Sequence, residues 1–291
     1  MLFRSQLLAS NGTLIAALSS FTNGTTATLG TLTTNSVLSL ALPGGGLGLT
    51  NQGTISMRGG TLQFNGSPSG TLGNTSIGTI LGVGDLTGMT VVNNGTIMAA
   101  NPVSGLNIFS VGLSDINSAT IGASNGAILN VVISGGAGSS FNNNGSIAML
   151  GGQLIISNAT PGVITNNAFV TGSGTVSPAI VNNSNIVASV NGGTLDVTLL
   201  GGTNTSAGNL LAGLGAVLQV QDALVNLGTI GPNGLNGGTV QVAQVSGIIT
   251  NRGTGMITSD SSAGSSLTFN SVVHNVDGSV QIGRASCRER V

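Results

Sequence analysis

The chain has no Lys, no Trp and no Tyr, one Cys, and only 4% charged residues in 291. Average globular chains carry roughly a quarter charged residues, so this one cannot build an ordinary charged surface. Asn, Ser, Thr and Gly must solvate it instead. Without basic clusters it is a poor nucleic-acid binder. Without a second His or a set of cysteines it cannot assemble a zinc site in the usual way. Six Pro, and 49 Gly without a strict period of three, exclude collagen. Low net charge and 40% apolar residues argue against disorder. Long hydrophobic runs are missing too. A spanning helix needs about 20 mostly apolar residues, and the best stretch, Leu210 to Val220, is broken by Gly213, Gly215 and Gln219. The segment is therefore expected not to span a membrane. Met1-Leu2-Phe3-Arg4 opens on a basic residue, but Ser10-Asn11-Gly12 soon cuts the apolar stretch, so it reads as a poor signal peptide and the natural start is expected upstream.

What the chain does contain is a returning phrase. It reads Asn51-Gln52-Gly53-Thr54-Ile55, Asn93-Asn94-Gly95-Thr96-Ile97, Asn143-Asn144-Gly145-Ser146-Ile147 and Asn226-Leu227-Gly228-Thr229-Ile230. Looser copies begin at Asn166, Asn182, Asn251 and Asn275. The leading asparagines are spaced 42, 50, 23, 16, 44, 25 and 24 residues apart, close to one or two units of a repeat architecture. A second phrase follows several of them: Gly59-Gly60-Thr61-Leu62-Gln63-Phe64, Gly151-Gly152-Gln153-Leu154-Ile155-Ile156, Gly192-Gly193-Thr194-Leu195-Asp196-Val197 and Gly237-Gly238-Thr239-Val240-Gln241-Val242. Leu-Gln-Phe, Leu-Asp-Val and Val-Gln-Val alternate apolar and polar, the period of a half-buried strand. Each unit thus reads as a short strand, a Gly-Gly corner and a second short strand.

Val, Ile and Thr abound and no helix pattern intervenes, so the fold expected is all-β, a parallel β-solenoid. Coils of roughly 20–25 residues would number about 12 and stack into a rod about 55–60 Å long. Ile and Val would form inward columns, and Asn a hydrogen-bonded ladder. A large antiparallel sandwich or barrel is the alternative, and it requires hairpin turns rather than repeating corners. Residues 1–44 read as a Thr/Leu/Ser-rich, irregular start, and 45–281 as the repetitive solenoid.

Residues 282–291 depart from the rest. They hold three of six Arg, the only Glu and the only Cys, Cys287. The string resembles the in-frame translation of a sequencing adapter. On that reading Arg284, Arg288 and Arg290 form no functional basic patch, and the gene continues further. Without the tail, three arginines stand against six aspartates, a formal charge of −3.

The two phrases, with the scarcity of Lys and Cys, resemble passenger segments of filamentous-haemagglutinin-like and autotransporter adhesins over most of residues 45–281. The resemblance implies a secreted β-helix on a bacterial surface, a structural or adhesive segment that meets a host-cell or carbohydrate surface. Neither the secretion module nor the membrane barrel of that family occurs in the chain. An isolated piece of such a rod is expected to self-associate end to end.

Candidate chemistry is sparse. The repeated asparagines read as satisfying backbone in stacked corners. Asp196 with Asp222, and Asp260 with Asp277, are spaced so that either pair can fall on adjacent coils, as a polysaccharide-acting β-helix enzyme would need beside Arg58 or Arg252. Solvated turns are the ordinary reading. Gly82-Val83-Gly84-Asp85 resembles one corner of a calcium-binding repeat, in a single copy. Gly122-Ala123-Ser124-Asn125-Gly126 matches a nucleophile elbow, with His274 as the sole candidate base, but the β-rich run that follows fails the required strand-to-helix context. Gly44-Gly45-Gly46-Leu47-Gly48 opens no helix and so forms no phosphate cradle. Thr31-Leu32-Thr33 is one step of the Thr array an ice-binding solenoid would need. The expectation is a non-enzymatic segment with no catalytic, cofactor or metal residues.

Overall fold

Alternating apolar residues in runs too short for helices, with Gly and Asn between them, produce strands alone. The computed structural model contains 33 strands among its described residues. These are residues 2–17, 21–41, 48–65, 70–100, 104–110, 114–124, 126–134, 140–158, 163–177, 180–198, 202–221, 224–233, 238–243, 248–259, 266–269 and 272–282. Every strand pairing with a described register is parallel, between a strand and its counterpart in the next coil. The fold is a parallel β-solenoid. It forms two compact units, residues 1–163 and 164–291.

Each coil carries three strands, one more than the paired phrases suggest. In the first unit, one sheet stacks Phe21–Asn23, Leu49–Asn51, Gly70–Asn74 and the end of Thr79–Asn93. A second stacks Thr28–Thr31 on the start of Thr54–Asn65, then on Thr79–Asn93, Thr96–Ala99 and Thr120–Ser124. A third stacks Val37–Ala41, the end of Thr54–Asn65, the middle of Thr79–Asn93, Leu106–Ser110 and Ile128–Ile133. The second unit repeats the plan, for example Ile180–Asn182 with Gly202–Asn204, Asn185–Ala188 with Asn209–Ala212, and Thr194–Thr198 with Val217–Gln221.

Parallel in-register stacking puts like residues above like. Leu29, Ile55, Ile80, Ile97, Ile121 and Ile147 form one buried inward column, and Leu38, Leu62, Leu86, Ile108, Val131 and Ile156 another. In the second unit Val170, Ile186, Leu210, Ile230 and Ile257 repeat the first column. Complete burial of a Leu or Ile side chain contributes about 1.5–3 kcal/mol, so each coil carries its own share of the core.

The Gly-Gly phrase makes two kinds of corner. Thr54–Asn65 and Ser146–Asn158 run through theirs without a break, bending at Gly59 (φ 103°) and Gly151 (φ 89°). Gly192-Gly193 instead sits in a turn ahead of Thr194–Thr198. Thr79–Asn93 passes through all three sheets as one 15-residue strand. It bends at Gly82, where a Cβ would lie 1.9 Å from the Met57 carbonyl oxygen, so the backbones can only approach this closely with glycine.

Candidate functional site: a buried asparagine ladder and an outward polar file

The leading asparagines of the repeat end the strands of one sheet and turn inward. In the first unit the side-chain amide Nδ2 of each donates to Oδ1 of the next: Asn23 to Asn51, Asn51 to Asn74, Asn74 to Asn93, and Asn93 to Asn117, each at 2.7 Å, and Asn117 to Asn143 at 2.8 Å. The second unit runs Asn166, Asn182, Asn204, Asn226, Asn251 and Asn275 at 2.8–2.9 Å. Between the asparagines bonded in this way, each unit closes five turns of 16 to 28 residues among the described residues. All but Asn275 are buried. The second Nδ2 proton reaches a backbone carbonyl one coil on, as from Asn93 to Thr120 O at 2.9 Å and from Asn74 to Thr96 O at 3.2 Å. A buried amide presents two donors and an oxygen with two lone pairs, and the ladder with the corner carbonyls uses them. The asparagines are thus structural.

Four of these, Asn23, Asn74, Asn117 and Asn204, carry no copy of the short phrase. Asn117-Ser118-Ala119-Thr120-Ile121 has Ala for Gly. Asn74 and Asn204 open corners two residues longer, closed by Gly78 N–H to Thr75 O and Gly208 N–H to Thr205 O, both 2.8 Å. Both read Asn-Thr-Ser, and the Thr hydroxyl donates to the carbonyl of the preceding ladder asparagine at 3.0 Å. Asn23 and Asn251 open corners of the same length without that tripeptide, closed by Ala27 N–H to Gly24 O at 2.8 Å and Gly255 N–H to Arg252 O at 3.0 Å.

At one end Asn23 Oδ1 is the buried side-chain atom without a partner among the described residues. Its column continues to Phe3 rather than to another amide, and the Phe3 and Phe21 rings pack 5.8 Å apart.

The outer face of the third sheet carries a second file, with Thr61, Asp85, Asn107 and Asn130 in register. Asn107 Nδ2 donates to Asp85 Oδ1 at 2.8 Å, and Asn130 Nδ2 to Asn107 Oδ1 at 3.3 Å. Its bonds point from later coil to earlier, opposite to the buried ladder, because the carboxylate at its head can only accept. Beside it Phe109 is 37% exposed. In the second unit the half-buried Asp196 takes both carboxylate bonds from Gln221 Nε2, at 3.0 and 2.8 Å. Burial raises its pKa, and the Gln221 bonds oppose the rise.

The other candidates are dispersed. Asp277 accepts from the Gly253 amide in an exposed turn. Asp222 and Asp260 lie outside the described residues, so neither proposed aspartate pair is complete among them. Gly84-Asp85 belongs to a strand, and among the described residues no group of three or more His, Cys, Asp and Glu is placed to hold a metal. Ser124 ends Thr120–Ser124, its hydroxyl 3.4 Å from Ala99 O, and the next element is the strand Ile128–Ile133 rather than a helix. His274 is exposed in a strand of the second unit. Arg58 and Arg252 are exposed. Thr28, Thr54, Thr79, Thr96 and Thr120 do form an outward column, but two positions on stand Gly30, Ser56, Leu81, Met98 and Gly122, so no paired Thr array results. Gly44–Leu47 and the tail beyond Ile282, including Cys287, fall outside the described residues. Among those described, no helix is long and apolar enough to cross a membrane, which bears on helices alone.

No protein family, no curated protein and no solved structure matches the chain.

Proposed function

We propose that the chain is a structural and adhesive segment of a secreted β-solenoid protein displayed on a bacterial surface, with no catalysis of its own. One observation carries this reading: the two kinds of asparagine are used differently. Those facing inward are consumed by the ladder, whereas Asn107 and Asn130 stand outward with Thr61, Asp85 and the exposed Phe109 on one sheet face. Amides, a hydroxyl and a carboxylate offer donors and acceptors to sugar hydroxyls, and an exposed ring offers a stacking face. The partner on this reading is a carbohydrate-bearing surface. Repetition suits the role, since a stacked repeat sets such groups at a fixed rise of about 4.8 Å per coil.

The test is a glycan array probed with the purified chain and with Phe109→Ala/Asn107→Ala, alongside incubation with soluble polysaccharides and measurement of new chain ends. Binding that the double variant loses supports the reading. Depolymerisation of any polysaccharide replaces it with an enzyme, and array binding unchanged in the variant moves the adhesive face elsewhere.

A further inference from the structure

Nine Asn-Gly pairs punctuate the corners, and in five of them both residues are described: Asn11-Gly12, Asn23-Gly24, Asn94-Gly95, Asn144-Gly145 and Asn191-Gly192. Asparagine is thermolabile, and a following glycine makes it most so, because no side chain hinders the next backbone nitrogen from reaching the amide carbon. The corners treat that nitrogen differently. Gly24 donates its N–H to Phe3 O at 2.8 Å, and Asn23 is buried. Gly95 donates to Asn93 Oδ1 at 3.2 Å, and Gly145 takes the same place in the same phrase. Gly192 donates to Gly215 O at 2.9 Å. Gly12 has no acceptor for its N–H among the described residues, and it stands exposed in open space.

The Asn11 amide is also polarised. Thr33 Oγ1 donates to Asn11 Oδ1 at 3.1 Å, and Ser36 Oγ lies 2.7 Å from Thr33 Oγ1. Asn11 N–H reaches the same two hydroxyls, at 3.4 and 3.2 Å. The hydroxyl pair thus grips the corner from both sides, with Asn11 in the left-handed region at φ 51°. A donor on Oδ1 draws electron density from Cγ and favours attack there, as any oxyanion-stabilising donor does.

We propose that Asn11-Gly12 is the self-modifying site among the described Asn-Gly pairs. The Gly12 nitrogen attacks Asn11 Cγ. A bond forms between them, the Cγ–Nδ2 bond breaks, and the Gly12 proton leaves with the amide as ammonia. Water then opens the cyclic imide at either carbonyl, giving aspartate or isoaspartate and one new negative charge at the first corner. Redox balance is unchanged, and water is the only co-reactant.

Incubation of the full folded chain at mildly alkaline pH, followed by peptide mass mapping, reads the conversion as a single-dalton gain. Asn11 should convert about tenfold faster than Asn94, Asn144 or Asn191. The same chain in denaturant should lose that preference, since unfolding frees every glycine N–H. Thr33→Val should slow Asn11 and leave the other three unchanged. Equal rates in the folded chain overturn the proposal, as does an order that survives unfolding. Conversion at Asn11 unaffected by Thr33→Val overturns the role of the hydroxyls.

Discussion

Replacing Asn93 by Ala removes four hydrogen bonds at once: to Asn117 Oδ1 and Thr120 O, and from Asn74 Nδ2 and Gly95 N–H. At about 1 kcal/mol each the loss is about 4 kcal/mol, with a further 1–3 if Asn117 Oδ1 stays dry and unpaired. Asn275→Ala is the matched control. Asn275 is exposed, accepts one ladder bond at 2.9 Å, and leaves Asn251 Nδ2 its second acceptor, Ser279 O, at 3.2 Å. Its loss should cost about 1 kcal/mol or less. The chain lacks Trp and Tyr, so circular dichroism in urea is the signal of choice. Stacked repeats can unfold in parts, so hydrogen exchange at Thr96 and Thr120 should be read in parallel, where Asn93→Ala should open the corners first. A cost for Asn93→Ala below about 1 kcal/mol, or equal to that of Asn275→Ala, would refute the ladder as a source of stability.

Asn93→Asp keeps the shape but faces a buried carboxylate with the oxygens of Asn117 and Thr120; burial should raise its pKa, so its stability should recover as pH falls through that raised value, read as an acid-shifted urea midpoint. Asp196 shows the same sign natively: its folded pKa lies above 3.8, so its stabilising contribution is full below that value and is lost as pH rises through the folded pKa, and Asp196→Asn should abolish that part of the slope. Gly82→Ala should unfold the strand that crosses all three sheets, whereas Gly192→Ala, at φ 74° with nothing within 4 Å of its Cβ, should cost about 1–2 kcal/mol. The first-coil residue Leu14 and the last-coil residue Val280 are 37% and 43% exposed, while their column neighbours Leu38 and Ile257 are buried. The purified chain should therefore self-associate through its end coils, and Leu14→Lys/Val280→Lys should shift it toward monomer in light scattering; a wild-type monomer at micromolar concentration would count against this.

Fold class was readable because the stacked position leaves a mark at the end of a strand: Asn, then a corner, then Thr-Ile. Eight of the twelve ladder residues open a close or looser copy of the returning phrase. Asn74 and Asn204 hide because their corners are two residues longer, so the spacings of 42 and 44 each covered two turns. Asn117 hides because Ala119 replaces the glycine, and Asn23 because its corner ends in Ala27-Thr28-Leu29. The strand of each coil that the phrases did not reveal is the one ending in the ladder asparagine. It hid for another reason: Leu49–Asn51, Ile180–Asn182 and Leu224–Asn226 are three residues each, too short to show an alternating period. The outward file was not legible at all. Asp85, Asn107 and Asn130 lie 22 and 23 residues apart with no shared phrase, and only the register of the sheet aligns them.

Between the ends of each unit's ladder, every inner amide gives to its successor and takes from its predecessor. Each rung therefore presents the same grammar on both sides. Within a unit, a coil copied in tandem at the DNA level would find an oxygen waiting to be given to and a hydrogen waiting to be received, whatever its corner length. Sixteen residues and twenty-eight satisfy that rule alike. As far as the ladder is concerned, such a chain can gain or lose whole coils, and its corners can differ in length, while the close backbone approach at Gly53, Gly78, Gly95 and Gly228 keeps those positions glycine.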